Sequence, residues 1–128
     1  MTGPVEGRLY VCETCVRDLA VGPAERTRGR QLADALGDRL KVRGLAARVV
    51  QRTVLCLNGC PSPCNVALRA PGKWSLRLGR LTPADAEPIV DLLLEYSSSR
   101  DGNIPPERWP PTLREKVTAR APPLGAAP

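Results

Sequence analysis

Leu32, Leu36 and Leu40 recur four residues apart, with Ala33 beside them and Asp34, Asp38, Arg39 and Lys41 on the polar side. That spacing lines one face of a helix with apolar groups and predicts α-structure over residues 28–43. Gly37 weakens such a helix by about 1 kcal/mol, and Gly44 supplies a residue suited to a left-handed stop. On either side the pattern changes. Residues 7–12 (GRLYVC) and 47–55 (ARVVQRTVL) are short runs rich in β-branched or large apolar residues and read as strands. A third strand is expected from Val66 to Arg69. Pro71-Gly72 then offers a type II turn, and Trp74, Leu76 and Leu78 alternate with Ser75, Arg77 and Gly79, which predicts a hairpin with one buried face.

The next helix announces its own start. Thr82 can cap, Pro83 suits the first helical position, and Asp85 adds negative charge to the first turn. Ile89, Val90, Leu93 and Leu94 supply the apolar face, Pro88 is expected to bend the first turn, and the helix should end near Tyr96. Prolines crowd residues 100–128, which predicts an extended tail with a helical turn or two around Thr112 to Thr118. Ile104, Trp109 and Leu113 either dock this tail on the body or on a second subunit, or belong to a disordered end. There are no internal repeats.

The order is therefore strand, helix, strand, cysteine-bearing loop, hairpin, helix. A helical crossover between two strands implies a parallel pair, and the hairpin adds antiparallel strands. The fold class expected is α/β with thioredoxin-like order: a mixed four-stranded sheet, two main helices and a Pro-rich C-terminal tail. One domain at residues 1–99 would carry the chemistry, followed by an extension at 100–128. A chain of 128 residues can bury one modest core.

Composition narrows the chemistry. MTGPVEGRLY lacks the basic start and apolar run of a signal peptide, and no apolar stretch approaches the ~18 residues of a membrane span. A cytoplasmic protein is expected, with no membrane partner. The net charge of +6 comes mostly from dispersed arginines, and Arg69, Arg77 and Arg80 are candidates for a basic docking face on the hairpin. With only two Trp, two Tyr and no Phe, few side chains could stack on bases, so a nucleic-acid role is not expected.

The candidate chemistry sits in the five cysteines. Cys12 and Cys15 follow the first strand. Cys56, Cys60 and Cys64 fall within CLNGCPSPC, where Asn58 and Gly59 tolerate positive φ and Pro61 and Pro63 stiffen the backbone. Clustered cysteines in the cytoplasm point to metal binding or redox chemistry rather than disulfides, and an odd count does not suit a disulfide framework. The absence of His removes Rieske centres, His-containing zinc sites and Cys–His catalysis. Three readings remain. A [2Fe–2S] cluster could be held by Cys12, Cys15, Cys56 and Cys60. A structural Zn2+ could use the same four, although C-x3-C-x3-C is not the usual zinc spacing. Cys12 and Cys15 could also form a CxxC thiol–disulfide oxidoreductase site.

Cys56-Leu57-Asn58-Gly59-Cys60 resembles the CLGxC loop of the thioredoxin-like [2Fe–2S] ferredoxins, a group that includes a related subunit of NADH dehydrogenase. The resemblance continues through the strand ending at Gly79 and the Leu81-Thr82-Pro83 helix start, and covers about residues 7–96. It implies a small electron carrier rather than an enzyme, a bound [2Fe–2S] cluster, a redox partner protein and a homodimer. Two features depart from the ferredoxin pattern. Only Glu13 and Thr14 separate Cys12 from Cys15, where the ferredoxins have four or more residues, and Cys64 is a fifth cysteine that could substitute as a ligand or simply pack. The cysteine layout and proline-rich end also look like a bacterial family of metal-binding proteins of unknown function. Some members of that family are encoded beside genes for cobalt insertion into cobalamin, which implies a helper role in such a pathway.

Overall fold

The computed structural model describes residues 8–12, 28–45, 49–54 and 65–123. The leucine repeat builds helix α1, Arg28–Val42, and buries Leu32, Leu36 and Leu40. The helix stops as expected. Gly44 takes φ +71°, the Leu45 N–H donates to the Leu40 carbonyl at 2.8 Å, and the Gly44 N–H donates to the Lys41 carbonyl at 3.1 Å. This crossed pair satisfies carbonyls that a helix end otherwise leaves open, and it returns Leu45 to the core beside Leu40.

Strand β1 (Arg8–Cys12) is flanked by β2 (Val50–Val54), which runs parallel to it, and by β3 (Val66–Arg69), which runs antiparallel. β3 turns into β4 (Ser75–Leu78) through Pro71-Gly72. Gly72 has φ +71° and the Lys73 N–H reaches the Ala70 carbonyl at 3.2 Å, as a type II turn requires. The second helix begins as a 3-10 turn, Pro83–Asp85, and continues as α2, Ala86–Ser98. The Asp85 carboxylate accepts the Thr82 backbone N–H at 2.9 Å. Pro88 lies in the first turn of α2, where a missing N–H costs least. The helix runs two residues past Tyr96, and the Ser98 hydroxyl bonds back to the Leu94 and Glu95 carbonyls.

Among the described residues the sheet has five strands in the order β2-β1-β3-β4-β5, not four. The fifth, β5 (Val117–Ala121), comes from the proline-rich end and pairs antiparallel with β4. Four of its five residues are exposed, so it is held mainly by backbone hydrogen bonds and leaves no hydrophobic pattern to read. The chain reaches it through two 3-10 turns, Pro106–Arg108 and Pro111–Leu113, each with proline near its start. The helical turns expected around Thr112 to Thr118 are thus one short 3-10 turn followed by strand. Ile104, Trp109 and Leu113 dock on the body: they are buried in the same cluster as the strands and helices.

Register explains the core. Val11 pairs with Val66, Leu9 with Leu68, Leu68 with Leu76 and Val66 with Leu78, so these side chains share one sheet face. They merge with the leucines of α1 and with Ile89, Val90, Leu92, Leu93 and Tyr96 of α2. The opposite face carries Arg8, Tyr10, Arg69, Arg77 and, on β2, Val50 and Arg52. Arg43 at the end of α1 pairs with Asp91 at 2.7 Å and Glu87 at 2.8 Å on α2.

Polar ties close the C-terminal region onto this frame. The buried Lys73 amine donates to the Tyr96 and Ser97 carbonyls at 3.0 and 3.1 Å, where the α2 C-terminus favours a cation. The Tyr96 hydroxyl donates to the Trp74 carbonyl, and burial pushes its pKa up to about 12. Lys116, just before β5, pairs with the buried Asp85 carboxylate at 2.7 Å.

Candidate metal centre

Three strand ends meet at one edge of the sheet. Cys12 is the last residue of β1 and stands in parallel register with Val54, the last residue of β2. β3 begins at Val66 opposite Val11 and runs the other way. Neighbouring strands lie about 5 Å apart, so the chain leaves β1, leaves β2 and returns into β3 within roughly 10 Å. The segment carrying Cys15 departs from the first of these points. The segment carrying Cys56, Cys60 and Cys64 departs from the second and returns at the third. Cys56 follows Val54 by two residues, and Cys64 precedes Asn65 by one.

Cys12 is placed by its backbone; Cys15, Cys56, Cys60 and Cys64 lie outside the described residues. Among the described residues, no three Cys, Asp or Glu side chains gather as a metal site. What the described residues contribute is the platform. Leu9, Val11, Val66 and Leu68 are fully buried behind the three strand ends and make that edge rigid. Asn65, at the return into β3, is 1% exposed, and among the described residues no buried side-chain polar atom lacks a partner. Sequence reasoning passed over Asn65, because an Asn after a Pro-Cys pair reads as one more loop residue and its burial is tertiary.

Five cysteines and no His make thiolate sulfur the soft donor that the sequence offers, a donor suited to a soft metal or a cluster. The hairpin arginines lie at different distances from the strand ends that lead into the cysteine-bearing segments. Arg77 sits mid-sheet, opposite Ala67. Arg69 lies at the far end of β3, opposite Arg8, about 10 Å along the strand from the cysteine edge. Arg80 is engaged elsewhere: its guanidinium donates to the Glu115 carbonyl at 2.7 Å and helps hold the segment before β5. Among the described residues, no helix is long and apolar enough to cross a membrane.

Over residues 9–123 the sequence matches the model of a protein family of unknown function, DUF1636, and the chain belongs to that family. No curated protein matches it. The fold is that of the thioredoxin-like [2Fe–2S] ferredoxin from Aquifex aeolicus. One structure of that ferredoxin is similar with a TM-score of 0.58 at 20% identity, covering 95% of this chain and 98% of the other. Its wild-type crystal structure gives 0.58 at 19% identity, covering 89% of this chain and 97% of the other. A cysteine-to-serine variant gives 0.57 at 19%, covering 88% and 98%.

Proposed function

We propose that this member of the family holds one [2Fe–2S] cluster by Cys12, Cys15, Cys56 and Cys60, with Cys64 as the substitute ligand, and acts as an electron carrier for a partner enzyme. The observation that carries the reading is the Cys12–Val54 register. It starts both cysteine-bearing segments from the same end of two adjacent strands. The all-thiolate donor set agrees with it, as does the likeness in fold to a [2Fe–2S] ferredoxin.

Such a cluster supplies one-electron redox chemistry, with a potential set by hydrogen bonds to sulfur and by exposure. The chain's part is positional. The packed ends of β1, β2 and β3 fix where the two segments begin. Leu9, Val11, Val66 and Leu68 keep water from the inner side. The reading places the protein in the cytoplasm, as a homodimer meeting a redox partner protein.

Anaerobic purification followed by a visible spectrum and iron, sulfide and zinc analysis tests it. Red-brown protein with about two irons and two sulfides per chain is expected. Colourless protein with one zinc would replace the proposal with a structural zinc module. A Cys12→Ser variant should lose or strongly perturb the visible bands; an unchanged spectrum and iron content would remove Cys12 from the ligand set.

A further inference from the structure

Arg8 and Arg69 face each other in the antiparallel β1–β3 register, on the sheet side turned away from the helices. Their Cα atoms are therefore about 5 Å apart. Like charges directly opposite on neighbouring strands are destabilising. Among the described residues, neither guanidinium has an ion pair with a carboxylate; Glu87, Asp91 and Glu95 of α2 and Asp85 just before it are engaged with Arg39, Arg43, Arg108 and Lys116 instead.

The pair opens into a cleft of about 570 Å³ at the end of the sheet opposite the cysteine edge. Tyr10 and Ser75 add hydroxyls to it, and Pro71, Pro122 and Pro123 make stiff walls. Lys73 also lines it, but its amine is committed to the α2 C-terminus. Among the described residues, no Asp or Glu lines the cleft. A smaller hollow of about 170 Å³ over Ala67, Arg77 and Ala119 adjoins it and shares Arg69.

We infer that this cleft is a binding site for a small organic anion bearing carboxylate or phosphate groups, clamped between Arg8 and Arg69. Guanidinium is a planar donor fork that matches both groups, and two of them on adjacent strands can engage one anion from both sides. The anion would neutralise a repulsion that the empty sheet carries. The volume falls within the range of small-molecule sites. A second copy of the chain is a poor occupant, since a two-fold contact would set these arginines against themselves. The inference does not depend on cluster binding, and its readout needs no cluster.

The test is calorimetric titration of the full chain with citrate and, separately, inorganic phosphate, each against sodium chloride at matched ionic strength. Thermal melts accompany it. One-to-one binding of citrate or phosphate is expected, with a raised melting temperature that chloride does not reproduce; whichever anion binds tighter names the class. Arg8→Gln and Arg69→Gln should each weaken binding by roughly ten- to a hundredfold, the loss of a charge-assisted contact. Both variants should melt no lower than wild type without ligand, because repulsion is relieved, and this separates a clamp from a structural role. Equal responses to chloride, or binding that survives in both variants, would overturn the site. So would binding of polyglutamate without binding of either small anion, which would make the face a dock for an acidic protein.

Discussion

Trp109→Ala asks whether the proline-rich end is part of the folded body. Trp109 is 9% exposed, lies in one cluster with Ile104 and Leu113, and donates its indole N–H to the Ile104 carbonyl at 3.0 Å. The Arg120 guanidinium of β5 lies 5.8 Å from its ring centre. An aromatic side chain buries about 150–250 Å², worth roughly 4–6 kcal/mol at ~25 cal/mol/Å² as an upper bound. Measured Trp truncations run about 3–5 kcal/mol, and that range is expected here. Trp109→Phe keeps most of the packing and loses the hydrogen bond, so it should cost about 1–2 kcal/mol. Against a total stability of about 5–15 kcal/mol the alanine variant gives up roughly a fifth or more.

The assay is urea unfolding followed by far-UV circular dichroism in reducing buffer. With a slope near 2 kcal/mol/M, the midpoint should fall by roughly 1.5–2.5 M, and by roughly 0.5–1 M for phenylalanine. Protease sensitivity after residue 100 should appear only together with loss of the whole fold. The reasoning fails if the midpoint stays within about 0.3 M of wild type while the end alone becomes cleavable. The chain would then divide after residue 99, with β5 a loosely held addition.

Two glycines should respond with opposite signs. Gly37→Ala adds a Cβ with no neighbour nearer than 3.9 Å in mid-helix and should stabilise by about 0.5–1 kcal/mol in the same assay. At Gly102 φ is +73° and a Cβ would lie 2.7 Å from the Tyr96 ring and 3.0 Å from Lys73 Cβ, so Gly102→Ala should cost roughly 1–3 kcal/mol; a neutral result would refute that packing. Tyr96 links stability to alkaline pH. Its pKa is raised to about 12 by burial, above the ordinary value of 10.0, so the folded state holds the proton longer than the unfolded chain. Its contribution is full below pH 10 and is lost as pH rises towards 12, a fall of roughly 2–3 kcal/mol that Tyr96→Phe should abolish in denaturation series at pH 9 to 12.

Local chemistry in the chain was enough to determine several elements. The spacing of Leu32, Leu36 and Leu40 specifies α1, Pro71-Gly72 the hairpin turn, and Thr82-Pro83-Asp85 the approach to α2. Each signal is complete within a few residues, because helical period, turn conformation and capping act at that range. The five cysteines without His likewise remove imidazole as a donor before any folding is considered. Tertiary structure decided the rest. β5 is bound to β4 through backbone groups that every residue but proline carries, so VTARA holds no code for it. Lys73 reads as a surface residue until the α2 C-terminus arrives to cover it. The meeting of Cys12 with the end of β2 depends on a parallel register between strands separated by a whole helix. The facing of Arg8 and Arg69, some sixty residues apart, depends likewise on the antiparallel register of β1 and β3. Such pairings are set by which apolar faces the whole core can bury at once, a condition that no short stretch of sequence can state.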